Sequence, residues 1–138
     1  MPDSPHLLLG FDFGMKRIGV AVGQTLTGHA KPLDILPARD GIPDWATIEA
    51  LIKKWQPQAL VVGIPINMDG TDMELTNCAK RFANRLQEWH KLPVHRVDER
   101  LSTVAAREQV IEAGKKLDRL DAVAAKVILE QYINQSSE

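Results

Sequence analysis

Apolar and polar positions along this chain alternate with two different periods, and the changes of period mark its elements. His6 to Phe13 alternates as a buried strand does. Leu7, Leu9, Phe11 and Phe13 fall on one face, and Leu8, Gly10 and Asp12 on the other. After Gly14, Met15 and Lys16 a second strand is predicted over 17–24. Its Ile18, Val20 and Val22 share a face, while Gly19, Ala21 and Gly23 leave the other nearly bare. A bare face admits a helix or a ligand at close range. Residues 28–38 read as a third strand, edge-like because Pro32 has no ladder donor. These three make an antiparallel meander.

From Pro43-Asp44-Trp45 the period lengthens to that of a helix. Ile48, Leu51, Ile52 and Trp55 recur at helical spacing, and Pro57 ends the run. Residues 59–66 are wholly apolar, as in a strand covered on both faces. A polar loop at 67–75 holds Asp69-Gly70-Thr71, and a helix is predicted over 76–90. A fifth strand follows at 93–99. A helix capped by Ser102 or Thr103 ends near Gly114, and the last helix runs from about 118 to 134. The order is βββαβαβαα, with strands four and five parallel to strand one after helical crossovers. The predicted fold class is α/β: one mixed five-stranded sheet with helices on both faces, forming a single domain over residues 1–138.

Composition adds exclusions. The chain has 138 residues, 44% hydrophobic and 25% charged, with a formal net charge of -1. It is not a protein that coats nucleic acid by bulk positive charge, although a local basic rim can cancel in the sum. A single cysteine, Cys78, rules out a disulfide framework and a zinc knuckle, and it reads as a small core residue. His6, His29, His90 and His95 lack metal-ligand spacing, and the three tryptophans read as helix core or half-buried surface. Met1 to Pro5 has neither the basic nor the apolar segment of a secretory leader. No apolar run nears the ~20 residues of a membrane span. The expected compartment is the cytoplasm, with no membrane partner, as a monomer or homodimer.

The candidate chemistry lies in the acids. In an open sheet of this kind ligands collect outside the carboxyl ends of the parallel strands. Asp12 ends strand one, and Asp98 and Glu99 end strand five. Asp118 and Asp121, three apart, share a face at the start of the last helix. Such a cluster is repulsive unless neutralised. Oxygen ligands favour Mg2+ or Mn2+, and two such ions support phosphodiester cleavage. Each acid also has a structural use: Asp12 can close a turn, and Asp118 can cap the last helix. Asp98 and Glu99 point to opposite faces of a regular strand, so only one readily joins the cluster. The alternation leaves open which, because each face carries a valine. Lys16, Arg17, Arg100, Lys115 and Lys116 lie near the same rim and can meet phosphates flanking a scissile bond. Asp69-Gly70-Thr71 can offer backbone N–H groups to a phosphate, or form an ordinary turn.

Four segments, in order, resemble the motifs of one family. They are Asp12-Phe13-Gly14-Met15-Lys16-Arg17-Ile18-Gly19-Val20-Ala21, Gly63-Ile64-Pro65 with Asp69-Gly70-Thr71, Asp98-Glu99-Arg100-Leu101-Ser102-Thr103, and Leu120-Asp121-Ala122-Val123-Ala124-Ala125. They look like those of the YqgF family, also called RuvX, and span nearly the whole chain. The resemblance implies a ribonuclease H-like fold, relatedness to the RuvC resolvases, and a nuclease role in maturing the 5′ end of pre-16S ribosomal RNA. Carried over, it makes Asp12, Glu99 and Asp121 the metal-binding catalytic acids; Asp98 and Asp118 stand beside them as candidate auxiliary acids on the reading of the residues alone. Between Gly114 and Asp121 only 115–120 intervene, a shorter and less basic segment than in many members. The alternatives are a branched-DNA junction resolvase with the same chemistry, and a non-catalytic RNA-binding assembly factor.

Overall fold

The computed structural model describes residues 7–66, 69–98 and 120–136, with the side chains of the last stretch given for 123–134. Its elements are β1 (Leu7–Asp12), β2 (Arg17–Gln24), β3 (His29–Arg39), β4 (Ile42–Pro43), α1 (Trp45–Trp55), β5 (Ala59–Ile64), α2 (Glu74–His90), β6 (Val94–Asp98) and α3 (Leu120–Ser136). One sheet has the order β4-β3-β2-β1-β5-β6. The β1–β2 and β2–β3 pairs are antiparallel, and β5 and β6 run parallel to β1. The α/β reading holds, with one strand more than expected. The addition is the two-residue β4. It is made by Asp40 and Gly41, whose φ values of 52° and 79° form a two-residue hairpin turn. The Asp-Gly pair was the signal for it. The helix expected at 102–114 lies outside the described residues.

The sheet is covered on both faces, as its apolar runs require. Leu9, Phe11, Ile18, Val20, Leu60, Val62 and Val94 pack with Ile48 of α1 and Phe82, Ala83 and Leu86 of α2. On the other face Leu8, Ala21, Val61 and Val97 pack with Ala125, Ile128, Leu129 and Ile133 of α3. The small residues of β2 act as their pattern predicts: a Cβ on Gly23 would meet Ile133 Cδ1 at 3.1 Å. Caps bound the helices. Asp44 Oδ1 accepts the Ala46 N–H at 3.0 Å, and Gln56 closes α1 in the left-handed region.

β3 is irregular in a way that accommodates its prolines. Its register against β2 shifts between Val20 and Ala21, which pair with Asp34 and Pro32 and leave Leu33 over. β4 pairs only with Ala38 and Arg39, so among the described residues the outer side of Pro32 is free of strand pairing. The Ala30 N–H donates to Glu130 Oε2 of α3 at 2.9 Å, and the Ile35 N–H to Asp34 Oδ1 at 2.8 Å.

Candidate nucleic-acid-processing site

Asp12 is the only buried ionisable side chain among the described residues, 8% exposed at the last position of β1. Its cross-strand partners are Gly19 on β2 and Gly63 on β5. Gly63 in turn pairs with Val97 of β6. Directly paired residues share a face, so this row of the sheet bears no side chain on either side of the Asp12 carboxylate. A hard cation could be received there, since nothing beside the carboxylate on β1, β2 or β5 competes for the space and its oxygens are the ligand type such ions take.

The face that carries Asp12 is the face covered by α3. Two residues before Asp12 on that face, a Cβ on Gly10 would lie 3.0 Å from Leu129 Cβ and 3.4 Å from the Ala125 carbonyl oxygen. Further from Asp12, Gly23 faces Ile133, and Gly23 pairs with Leu8. The helix therefore runs antiparallel to β1, with its N-terminal end toward Asp12. Position 121 precedes Ala125 by four residues, on the same helical face and about 6 Å along the axis.

β6 separates the two acids that alternation could not rank. Val94 belongs to the α1–α2 face and Val97 to the α3 face. Asp98 pairs with Ile64, a residue of the α1–α2 face. Asp98 thus stands on the face opposite to Asp12, and it takes part in an interaction of its own. Glu99, Arg100, Lys115, Lys116 and Asp118 lie outside the described residues, and the side chain of Asp121 is not described. Among the described residues no three His, Cys, Asp or Glu side chains gather as a metal site.

The turn that follows Asp12 is tightly built. A Cβ on Gly14 would lie 2.5 Å from the Arg17 carbonyl oxygen, so the chain can close here only with glycine. The Met15 carbonyl accepts from the Gly41 N–H, and the Lys16 carbonyl from the Ala38 N–H, both at 2.9 Å. The β3–β4 hairpin thus holds the turn from outside, and Lys16 and Arg17 stay exposed at the Asp12 end of the sheet. In the loop leaving β5, Asp69 Oδ1 accepts from both the Thr71 N–H at 3.0 Å and the Thr71 hydroxyl at 2.6 Å. That N–H therefore already has a partner within the turn. Behind the loop is a residue the sequence reading did not single out. Thr76, fully buried in the first turn of α2, donates its hydroxyl to the Pro65 carbonyl and accepts the Met73 N–H at 3.0 Å. A threonine near a helix start was the available sign.

The fold with an acid at this strand end is that of the RuvC-type resolvases. RuvC of T. thermophilus in complex with a Holliday junction substrate superposes with a TM-score of 0.60 at 15% identity, covering 96% of each chain. The fowlpox virus resolvase with Holliday junction DNA gives 0.60 at 9% identity, covering 96% of this chain and 99% of that one. The chain belongs to the RuvX family, described as Holliday junction resolvase, whose profile matches residues 6–135. A Coxiella burnetii relative is 53% identical over 137 residues, 98% of this chain and 97% of its own length. A Legionella pneumophila relative is 54% identical over 132 residues, 93% and 95% of the two chains. Both are provisionally named pre-16S rRNA nuclease. No described helix is long and apolar enough to cross a membrane.

Proposed function

We propose that this protein is a divalent-metal-dependent endonuclease of the cytoplasm, a single ribonuclease H-like domain that trims the 5′ end of precursor 16S ribosomal RNA. The observation that carries the reading is Asp12: the one buried carboxylate among the described residues, flanked on both neighbouring strands by glycine and beneath the N-terminal end of α3. The RNA assignment rests on the curated relatives, about half identical over nearly the whole chain.

In this reading Asp12 and Asp121 hold Mg2+ or Mn2+ together with Glu99. The direction of α3 supports Asp121, since Ala125, four residues on, lies over Gly10. The face assignment of β6 supports Glu99: Val97 shares the face of Asp12, and the next position on that face by strand alternation is 99. Bound there, the ion supplies Lewis acidity and a more acidic water. Asp12 would offer its carboxylate oxygens to that ion from a fixed, largely buried strand end. Lys16 and Arg17, exposed beside it, receive phosphates that flank the scissile bond; Arg100, Lys115 and Lys116 are further candidates for that role from the sequence. Asp98, on the opposite face of the sheet, is structural.

The family description gives the competing substrate, a four-way DNA junction. The test is cleavage of a pre-16S precursor and of such a junction side by side, with Mg2+, with Mn2+ and with chelator. Metal-dependent cleavage at the 5′ end of the precursor is expected. Cleavage of the junction alone would transfer the reading to DNA, and binding of the precursor without cleavage of either would leave an assembly factor.

A further inference from the structure

The outer surface of α2 is basic in a chain whose net charge is -1. Ala79, Phe82, Ala83 and Leu86 turn toward the sheet and are buried. On the opposite side lie Asn77, Arg81 and Asn84, flanked by Lys80 and Arg85, all exposed. Between Asn77 and Arg85 the helix carries no acid. Lys80 pairs with Asp72 at 2.9 Å. Among the described residues, neither Arg81 nor Arg85 has an ion-pair or hydrogen-bond partner. A third arginine comes from the neighbouring strand. Arg96 of β6 donates from Nη2 to Asn84 Oδ1 at 2.6 Å and from Nη1 to the Val94 carbonyl at 3.3 Å. This fixes the guanidinium against the helix, in the stretch between Arg81 and Arg85. Among the described residues, acids stand only at the ends: Asp72, Glu74 and Asp98 near the Asp12 edge, Glu88 at the far one.

Two unpaired arginines with a third oriented beside them are poor design for stability and good design for phosphate. Arginine is the weakly hydrated, fork-shaped donor suited to phosphate oxygens. Arg81 and Arg85 are about 6 Å apart along the helix axis, close to the step between successive phosphates of one strand. The helix begins at the edge that holds Asp12, because Thr76 ties its first turn to the Pro65 carbonyl just beyond β5. We propose that Arg81, Arg85 and Arg96 bind the phosphodiester backbone of the nucleic-acid substrate beyond the scissile bond, on the β6 side of the site. This rests on the nuclease reading above and adds a second contact region to it.

The test uses the full chain carrying Asp12→Asn, so that substrate is bound but not cut. Anisotropy of a labelled pre-16S precursor is measured across a NaCl series. Adding Arg81→Gln and Arg85→Gln is expected to weaken binding roughly tenfold at low salt. It should also flatten the plot of log affinity against log salt by about 1.4–1.8, the slope of two phosphate contacts. Lys31→Gln with Lys53→Gln removes the same charge from other exposed surfaces and should change the slope by less than half as much. With Asp12 intact, the arginine pair should leave cleavage of a short oligonucleotide spanning only the scissile site unchanged and raise KM for the full precursor. Binding within twofold of the parent at an unchanged melting temperature, or a loss equal to that of the lysine pair, overturns the proposal. A parent chain that neither binds nor, with Asp12 intact, cleaves nucleic acid would instead bring down the nuclease reading, and this proposal with it.

Discussion

Gly10→Ala tests whether the seating of α3 on β1 sets the site. The new methyl carbon would lie 3.0 Å from Leu129 Cβ, 3.4 Å from Leu129 Cδ2 and 3.4 Å from the Ala125 carbonyl oxygen. The first and last of these belong to the helix frame and cannot rotate away, so the helix must lift by a few tenths of an ångström. Overpacking of this size costs about 1–3 kcal/mol. Replacing glycine in a strand returns about 0.5–1 kcal/mol of chain entropy. The net loss is about 0–2.5 kcal/mol, with a midpoint of about 1 kcal/mol that for a chain of this length lowers Tm by roughly 3–4 °C. The functional effect should exceed the thermal one. The lifted segment carries position 121 one turn beyond Ala125, and a displacement of a fraction of an ångström in a catalytic group lowers turnover by about tenfold or more. Scanning calorimetry and metal-dependent cleavage of the precursor provide the two readouts. A variant with unchanged or raised Tm and full activity would refute the argument, because it would mean that α3 does not rest on Gly10.

Other substitutions separate catalysis from folding. Asp12→Asn keeps the shape of the side chain and removes the charge that receives the cation, so cleavage should vanish while Tm holds or rises; full cleavage by this variant would contradict the assignment of Asp12. Glu99→Gln should lower turnover by several powers of ten with little change in Tm. Asp98→Asn should cost about 1 kcal/mol of stability with activity retained; paired cleavage and melting curves showing the reverse would exchange the two roles. Thr76→Val leaves the Pro65 carbonyl and the Met73 N–H without their buried partner. It should cost about 1–3 kcal/mol, and a urea midpoint equal to the parent's would deny the anchoring role.

The sheet was legible because each strand's burial is written in its residues: alternation in β1, a continuous apolar run in β5, and small residues on one side of β2. The two-residue β4 escaped because it is a product of turn chemistry at Asp40-Gly41, which hydrophobic period does not register. Asp12 could be singled out because a carboxylate closing a buried strand has few structural uses. Choosing between the faces of β6 was beyond the sequence. Val94 and Val97 look equivalent as letters, and only packing against α2 or α3 tells them apart. Thr76 and Arg96 escaped for a related reason: their partners are the Pro65 carbonyl, 11 residues away, and Asn84, 12 residues from Arg96. Such pairings depend on chain folding and not on local pattern.

The irregular outer flank of β3 has a bearing on how copies of this chain behave together. The pairings of Ala30 with Gly23, Pro32 with Ala21, Ile35 with Gly19 and Pro37 with Arg17 put these four positions in one row, whose nitrogens turn away from β2. Across the bulge, that row has no free backbone donor for a visiting strand. The Ala30 N–H is taken by Glu130, the Ile35 N–H by Asp34, and the two prolines have no N–H to give. An 11-residue strand covered along only two residues of its outer side would otherwise template sheet growth from molecule to molecule. Prolines and side-chain caps instead seal the flank donor by donor. A flank without free donors is a poor template for a second chain.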